Sequence, residues 1–185
     1  MKIKNKYLVF LLVPCALCLV TCGNKEHNGK KVFRYNESTG IASLDPAFSK
    51  NQSTMWPVHQ LFNTLVENDG DTKTRGSLAK SWDISADRLE YIFHLRTDVH
   101  FHDNDAFENG KGRKMIASDV EYSFKRIIDP KIASPGFYIF NNVVDSVDGF
   151  KALDDSTFRL KLIKPYAPIL QILKMTYCSI VPNEV

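Results

Sequence analysis

The chain has 185 residues and carries a formal net charge of +3; a hydrophobic share of 44% is enough for a packed core and argues against disorder. Three of its 24 basic residues, Lys2, Lys4 and Lys6, sit at the very start, and beyond residue 21 the balance is 21 basic to 21 acidic. A neutral body lacks the concentrated basic face that phosphate binding needs, so no nucleic-acid partner is expected.

The three lysines are followed by an apolar run from Tyr7 to Val20, shorter than the roughly 20 residues of a membrane-spanning helix. A basic start, a short apolar segment and a processing site form a secretory leader. Its end, Leu19-Val20-Thr21-Cys22, resembles a bacterial lipobox, with Thr21 where Gly, Ala or Ser is usual. The resemblance implies a signal peptide over residues 1–21 and lipidation of Cys22; an uncleaved anchor is the alternative. Residues 22–31, polar and without an apolar period, read as a flexible tether. Cys15 and Cys18 have C-x-x-C spacing but lie inside the apolar leader, without partner ligands, and Cys178 reads as a small buried hydrophobe.

From Val32 the chain mixes strand and helix signals without repeats, which predicts one mixed α/β unit over residues 32–185. Val32–Tyr35 reads as a short strand, and Asn36–Gly40 as a loop in which Gly40 is free to take a positive φ. Leu44-Asp45-Pro46 turns the chain. Ser53 or Thr54 then caps a helix whose apolar positions Val58, Leu61, Phe62, Leu65 and Val66 follow the helical period as far as Asn68-Asp69-Gly70. Trp82–Ile84 and Tyr91–Arg96 alternate around Ser85–Arg88, a hairpin pattern that puts Tyr91, Phe93 and Leu95 on one buried face. Val99 and Phe101 extend a strand, and Asn109–Gly112 lies in a surface loop.

Ser118-Asp119-Val120-Glu121 has capping-box spacing and predicts a helix that buries Val120, Phe124, Ile127 and Ile128 and stops at Asp129-Pro130. Strands are expected from Val143-Val144 to Phe150 and over Thr157–Leu162, with Asp154-Asp155 at a turn between strands. Pro165–Leu173 reads as a helix and Ser179–Pro182 as one more strand.

Catalytic signatures are absent: there is no Gly-x-Ser-x-Gly elbow, no His-Glu-x-x-His and no glycine-rich phosphate loop, so no enzyme is expected. His100-x-His102-Asp103 is the one local pattern with metal-ligand character, since residues two apart on a strand share a face. A structural zinc site needs a fourth ligand, none is near in sequence, and neither a metal nor another cofactor is expected.

The order of several short segments is more specific than any of them alone. These are Ser43–Pro46, Gln60–Val66, Leu78–Trp82, Tyr91–Arg96, Phe101–Asp103, Ala117–Arg126, Ala133–Pro135 and Lys151–Phe158. In this order and spacing the chain resembles the extracytoplasmic solute-binding proteins of peptide and nickel ABC transporters, of the oligopeptide- and dipeptide-binding type. The resemblance implies a periplasmic-binding-protein-like fold, here the first lobe plus accessory subdomain of a two-lobed body, truncated before the second lobe. It also implies a peptide ligand, ABC permease subunits as partners, and a place in the bacterial cell envelope, lipid-anchored and facing the periplasm or cell exterior.

Site residues carried over are Thr39, Gly40 and Ile41 before the Leu-Asp-Pro turn, and Phe137 or Tyr138 after Ser134-Pro135. His102 and Asp103 then fall at a strand end, where Asp103 satisfies backbone amides. A lone half-receptor is expected to bind peptides very weakly. The alternative of another class is a scaffold lipoprotein or stranded half-lobe that needs a partner chain, and nickel or haem binding is a further possibility within the family.

Overall fold

The computed structural model describes residue 32 and residues 34–184. The chain divides into two compact units, residues 1–36 and 37–185. Of the first, Val32, Arg34, Tyr35 and Asn36 are exposed and belong to no strand, so the strand expected over Val32–Tyr35 is not formed by them; Phe33, Cys22, the leader and the tether fall outside the described residues.

The second unit begins with a 3-10 turn, Pro46–Phe48, followed by helix α1, Gln52–Leu61. Asn51 caps α1, its side chain accepting from Thr54 N at 3.2 Å while Thr54 Oγ1 accepts from Asn51 N at 3.4 Å. The cap is therefore two to three residues before Ser53 and Thr54, and Thr54 is its reciprocal partner. The helix also ends sooner than its apolar spacing suggests. Phe62 is extended (φ −127°, ψ 154°), and Leu65 and Val66 leave the helical path. Strand β1, Val66–Asn68, pairs with β2, Thr74–Gly76, and the Leu65 carbonyl accepts from Ser77 and Ala79, each at 3.0 Å. Positions 58, 61, 62, 65 and 66 fit a helical period by coincidence: the backbone bonds available to residue 65 lie on the next hairpin.

The main sheet has four antiparallel strands in the order β3-β4-β6-β5, formed by Ala79–Ile84, Glu90–Leu95, Phe150–Asp154 (β5) and Thr157–Lys161 (β6). Tyr91, Phe93, Leu95, Phe158 and Leu160 are buried on one face, as alternation requires. Helix α2, Ala117–Ile128, crosses that face. Phe124 meets Phe140, Phe150 and Phe158 with ring centroids 5.5, 5.4 and 5.6 Å apart, so the β4-to-β5 crossover is fixed by an aromatic cluster.

Ser118 lies inside α2 rather than capping it. Asp119 reaches back instead, its carboxylate accepting from Ile116 N at 2.9 Å. Glu121 serves another element: its Oε2 accepts from Ala152 N at 2.6 Å, which satisfies an edge donor of β5. Three expected elements are shorter than the sequence suggests. Val144 makes only an isolated bridge to Leu162 before β5 starts, Pro165–Leu173 contains a single helical turn α3, Ile169–Ile172, and Ser179–Pro182 joins no sheet. Val99–Phe101 is likewise a bridged segment, His100 opposite Lys114, and not a strand.

Candidate functional site

Three 3-10 turns distant in sequence, Pro46–Phe48, Pro135–Ile139 and Thr176–Cys178, are tied into one knot. Asp45 starts the first by accepting from Ala47 N at 2.9 Å, a geometry that Pro46 favours by supplying no competing donor. The same carboxylate takes both terminal nitrogens of Arg126 on α2, at 3.1 and 2.7 Å. Burial alone would raise the Asp45 pKa, but the Arg126 and Ala47 bonds outweigh it and hold the carboxyl below the usual carboxylate value.

Ser134 joins the first two turns: its hydroxyl donates to the Ala47 carbonyl at 2.6 Å and accepts from Gly136 N at 3.0 Å. The first and third turns meet through buried hydroxyls, Ser49 Oγ to Thr176 Oγ1 at 2.8 Å. Gly136 lies flat on the Tyr177 ring, where a Cβ would fall 2.6 Å from Cδ1. Burial, then the nearby Tyr138 phenol, push the Tyr177 hydroxyl pKa up.

The knot carries exposed apolar side chains on its turns and the segment leading into them. Tyr138 is 63% exposed, and Phe137, Phe48, Leu44 and Ile41 are also exposed. Phe137 and Tyr138 stand on a turn joined to Pro46–Phe48 by the Ser134–Ala47 bond, and Thr39, Gly40 and Ile41 lie in the chain segment that leads into Pro46–Phe48. Gly40 has the expected positive φ, +73°, and Thr39 N and Oγ1 donate to Glu37 Oε1 at 3.2 and 2.8 Å. Such a surface offers stacking and dispersion contacts; the Asp45 charge is already committed to Arg126. Sequence reasoning missed Arg126 as the partner of Asp45, and Tyr177 as the floor under Gly136. No local pattern marks either, because each contact spans more than forty residues.

His100 and His102 are exposed at the rim of a separate cleft of about 250 Å³. No strand ends at Asp103, but its carboxylate accepts from a backbone amide, Gly112 N at 3.1 Å, and also from Lys111 Nζ at 2.7 Å. Among the described residues no group of three or more His, Cys, Asp or Glu could hold a metal ion. Cys178 is fully buried, and burial pushes its thiol pKa up.

Comparison with known proteins places this architecture. The sequence profile of the bacterial extracellular solute-binding proteins, family 5 Middle, matches residues 73–184. The chain is 32% identical over 174 residues to di/tripeptide-binding protein 4 of Pseudomonas aeruginosa, covering 90% of this chain and 30% of that protein. It is 38% identical over 133 residues to heme-binding protein A of Haemophilus influenzae, covering 68% of this chain and 24% of the relative. Among solved structures, the periplasmic binding protein DppA of Helicobacter pylori in complex with peptide STSA is similar with a TM-score of 0.67 and 34% identity, over 78% of this chain and 29% of that one. Listeria monocytogenes OppA bound to peptide gives a TM-score of 0.70 at 26% identity.

The chain spans about 30% of the length of di/tripeptide-binding protein 4 and 24% of heme-binding protein A, and its mixed α/β fold is part of a periplasmic-binding-protein-like architecture. A profile match across most of the folded unit, together with the same fold in peptide-bound homologues, establishes that the chain belongs to the bacterial extracellular solute-binding proteins of family 5, a family of transport binding proteins and not of enzymes.

Proposed function

We propose that the chain belongs to the solute-binding component of an ABC transporter that captures dipeptides or oligopeptides outside the cytoplasm, held to the cell envelope by lipid on Cys22. The observation that supports this reading most is the fold shared with two binding proteins solved with peptides in place. In this reading the segment Thr39–Ile41 and the aromatics Phe137 and Tyr138 face the ligand. The apolar knot contributes side-chain contacts that tolerate varied peptide sequences, while main-chain groups provide affinity. Closure over the ligand is the state a permease recognises, because a ligand shifts a conformational equilibrium only by binding one state better.

A relative named for haem, and a Campylobacter jejuni NikZ structure containing Ni(L-His), show that similar proteins take other solutes. The test therefore compares solutes. A strain lacking the gene should lose most of its uptake of labelled di-, tri- or oligopeptide and regain it on complementation, with haem and nickel–histidine uptake unchanged. Unaltered uptake of all peptide lengths contradicts the proposal.

A further inference from the structure

A cleft of about 600 Å³ opens between the β3–β4 turn and the Pro165–Leu170 stretch, and it shares no lining residue with the three-turn knot. Its volume is in the range of small-molecule sites. Ile84, Pro165, Tyr166 and Leu170 give it an apolar and aromatic wall, Arg88 is its one charged residue, and no acidic side chain lines it.

Tyr91 supplies the polar atom at its floor. The residue is 4% exposed, and its hydroxyl bonds to no described residue. Among the described residues, Arg159 Nε is the only side-chain nitrogen or oxygen both shut off from solvent and unbonded, so the Tyr91 hydroxyl keeps an opening, and Tyr91 lines this cleft. Burial pushes the phenol pKa up while the Arg88 charge pulls it down, and the hydroxyl remains a donor at neutral pH. A polar group this deep ordinarily has a partner.

Arg88 is exposed and forms no ion pair among the described residues. The acid beside it, Asp87, is engaged within the turn, accepting from Ser85 Oγ at 2.6 Å and Leu89 N at 3.0 Å. Arg88 closes that turn by donating its N–H to the Ser85 carbonyl at 2.9 Å, with φ +57°, in the left-handed region that glycine fills without strain. A long cation thus stands at a position that suits glycine, beside a phenol without a partner.

We propose that this cleft binds a small organic acid, its carboxylate held by the Arg88 guanidinium and the Tyr91 hydroxyl and its apolar body lying against Ile84, Tyr166 and Leu170. Guanidinium and phenol both donate, which selects an oxygen anion. The apolar wall favours an acid with a hydrocarbon body over a bare inorganic anion, which gains nothing there for the water it leaves. The site lies apart from the knot and does not depend on the peptide reading.

The test is isothermal titration calorimetry of the purified full chain with phenylbutyrate, and with phenylbutyramide and acetate as controls. The expected result is binding of phenylbutyrate at one site and of neither control. Arg88→Gly should weaken that binding by about tenfold or more while holding or raising the melting temperature, because glycine suits the φ of the turn. Tyr91→Phe keeps the ring in the core and should weaken binding about fivefold. No binding at millimolar phenylbutyrate, equal binding of the amide, or unchanged affinity in either variant overturns the proposal, and Tyr91→Phe decides alone if Arg88→Gly melts early. Displacement of phenylbutyrate by an apolar dipeptide would assign the site to a peptide terminus and overturns it for a free acid.

Discussion

Arg113 shows how much can hang on one side chain. Its guanidinium donates to both oxygens of Asp119 at 2.8 and 2.6 Å, and to Glu184 at 2.5 and 2.8 Å. The bonds to Asp119, then to Glu184, push its pKa up. The two partners differ in burial, Asp119 being 1% exposed at its side chain and Glu184 31%. Arg113→Ala leaves a buried carboxylate without its cation and should cost about 3–5 kcal/mol in urea unfolding, whereas Glu184→Gln should cost under about 1 kcal/mol. Equal losses would show that the two ion pairs of Arg113 are not graded by burial. Asp45 makes a prediction in pH. Its folded pKa is lowered, so the stability it contributes is fully present above the ordinary carboxylate value and is lost as pH falls through the folded one. Asp45→Asn should reduce stability near neutral pH and flatten the acid limb of a thermal-melt series below about pH 4; an acid limb of unchanged slope counts against the Arg126 pairing.

At the scale of elements, the turns matter more than the helices, because they carry the candidate ligand surface. Gly136 allows the Pro135–Ile139 turn to rest on Tyr177, and Gly136→Ala should destabilise by about 1–3 kcal/mol through overpacking while displacing Phe137 and Tyr138. A stable variant with unchanged Tyr138 exposure to iodination would contradict that. Legibility in the sequence follows the same division. The β3–β4 hairpin is plain because strict alternation through Tyr91, Phe93 and Leu95 has one structural meaning, and the burial of Phe124 and Ile127 follows from helical period. Leu65 and Val66 are misread because their spacing fits a helix while their bonding partners, Ser77 and Ala79, are visible only in three dimensions. Ser118 is misread because Asp119, one residue on, wins the cap through the Ile116 amide. The knot is the least legible part: Asp45-Pro46 announces a turn, but nothing in the sequence says that Arg126, Ser134 and Thr176 will meet it.

For the whole molecule, residues 37–184 build one buried core in which α2 and the four-stranded sheet enclose the aromatic cluster; Ile139, Tyr177 and Cys178 tie the knot into that core, and its side chains Phe137 and Tyr138 stay exposed. Under the proposed reading, the core is the rigid body and the exposed aromatics of the knot are the side chains offered to solute. The measurement that tests this account most directly is native mass spectrometry of the protein extracted in mild detergent from its own envelope. A lipid-anchored peptide receptor gives a polypeptide beginning at Cys22, heavier by a diacylglyceryl group and an acyl chain, with a short peptide bound that is released on unfolding. An unmodified chain beginning at Met1, with no peptide bound even after incubation with a peptide mixture, contradicts it.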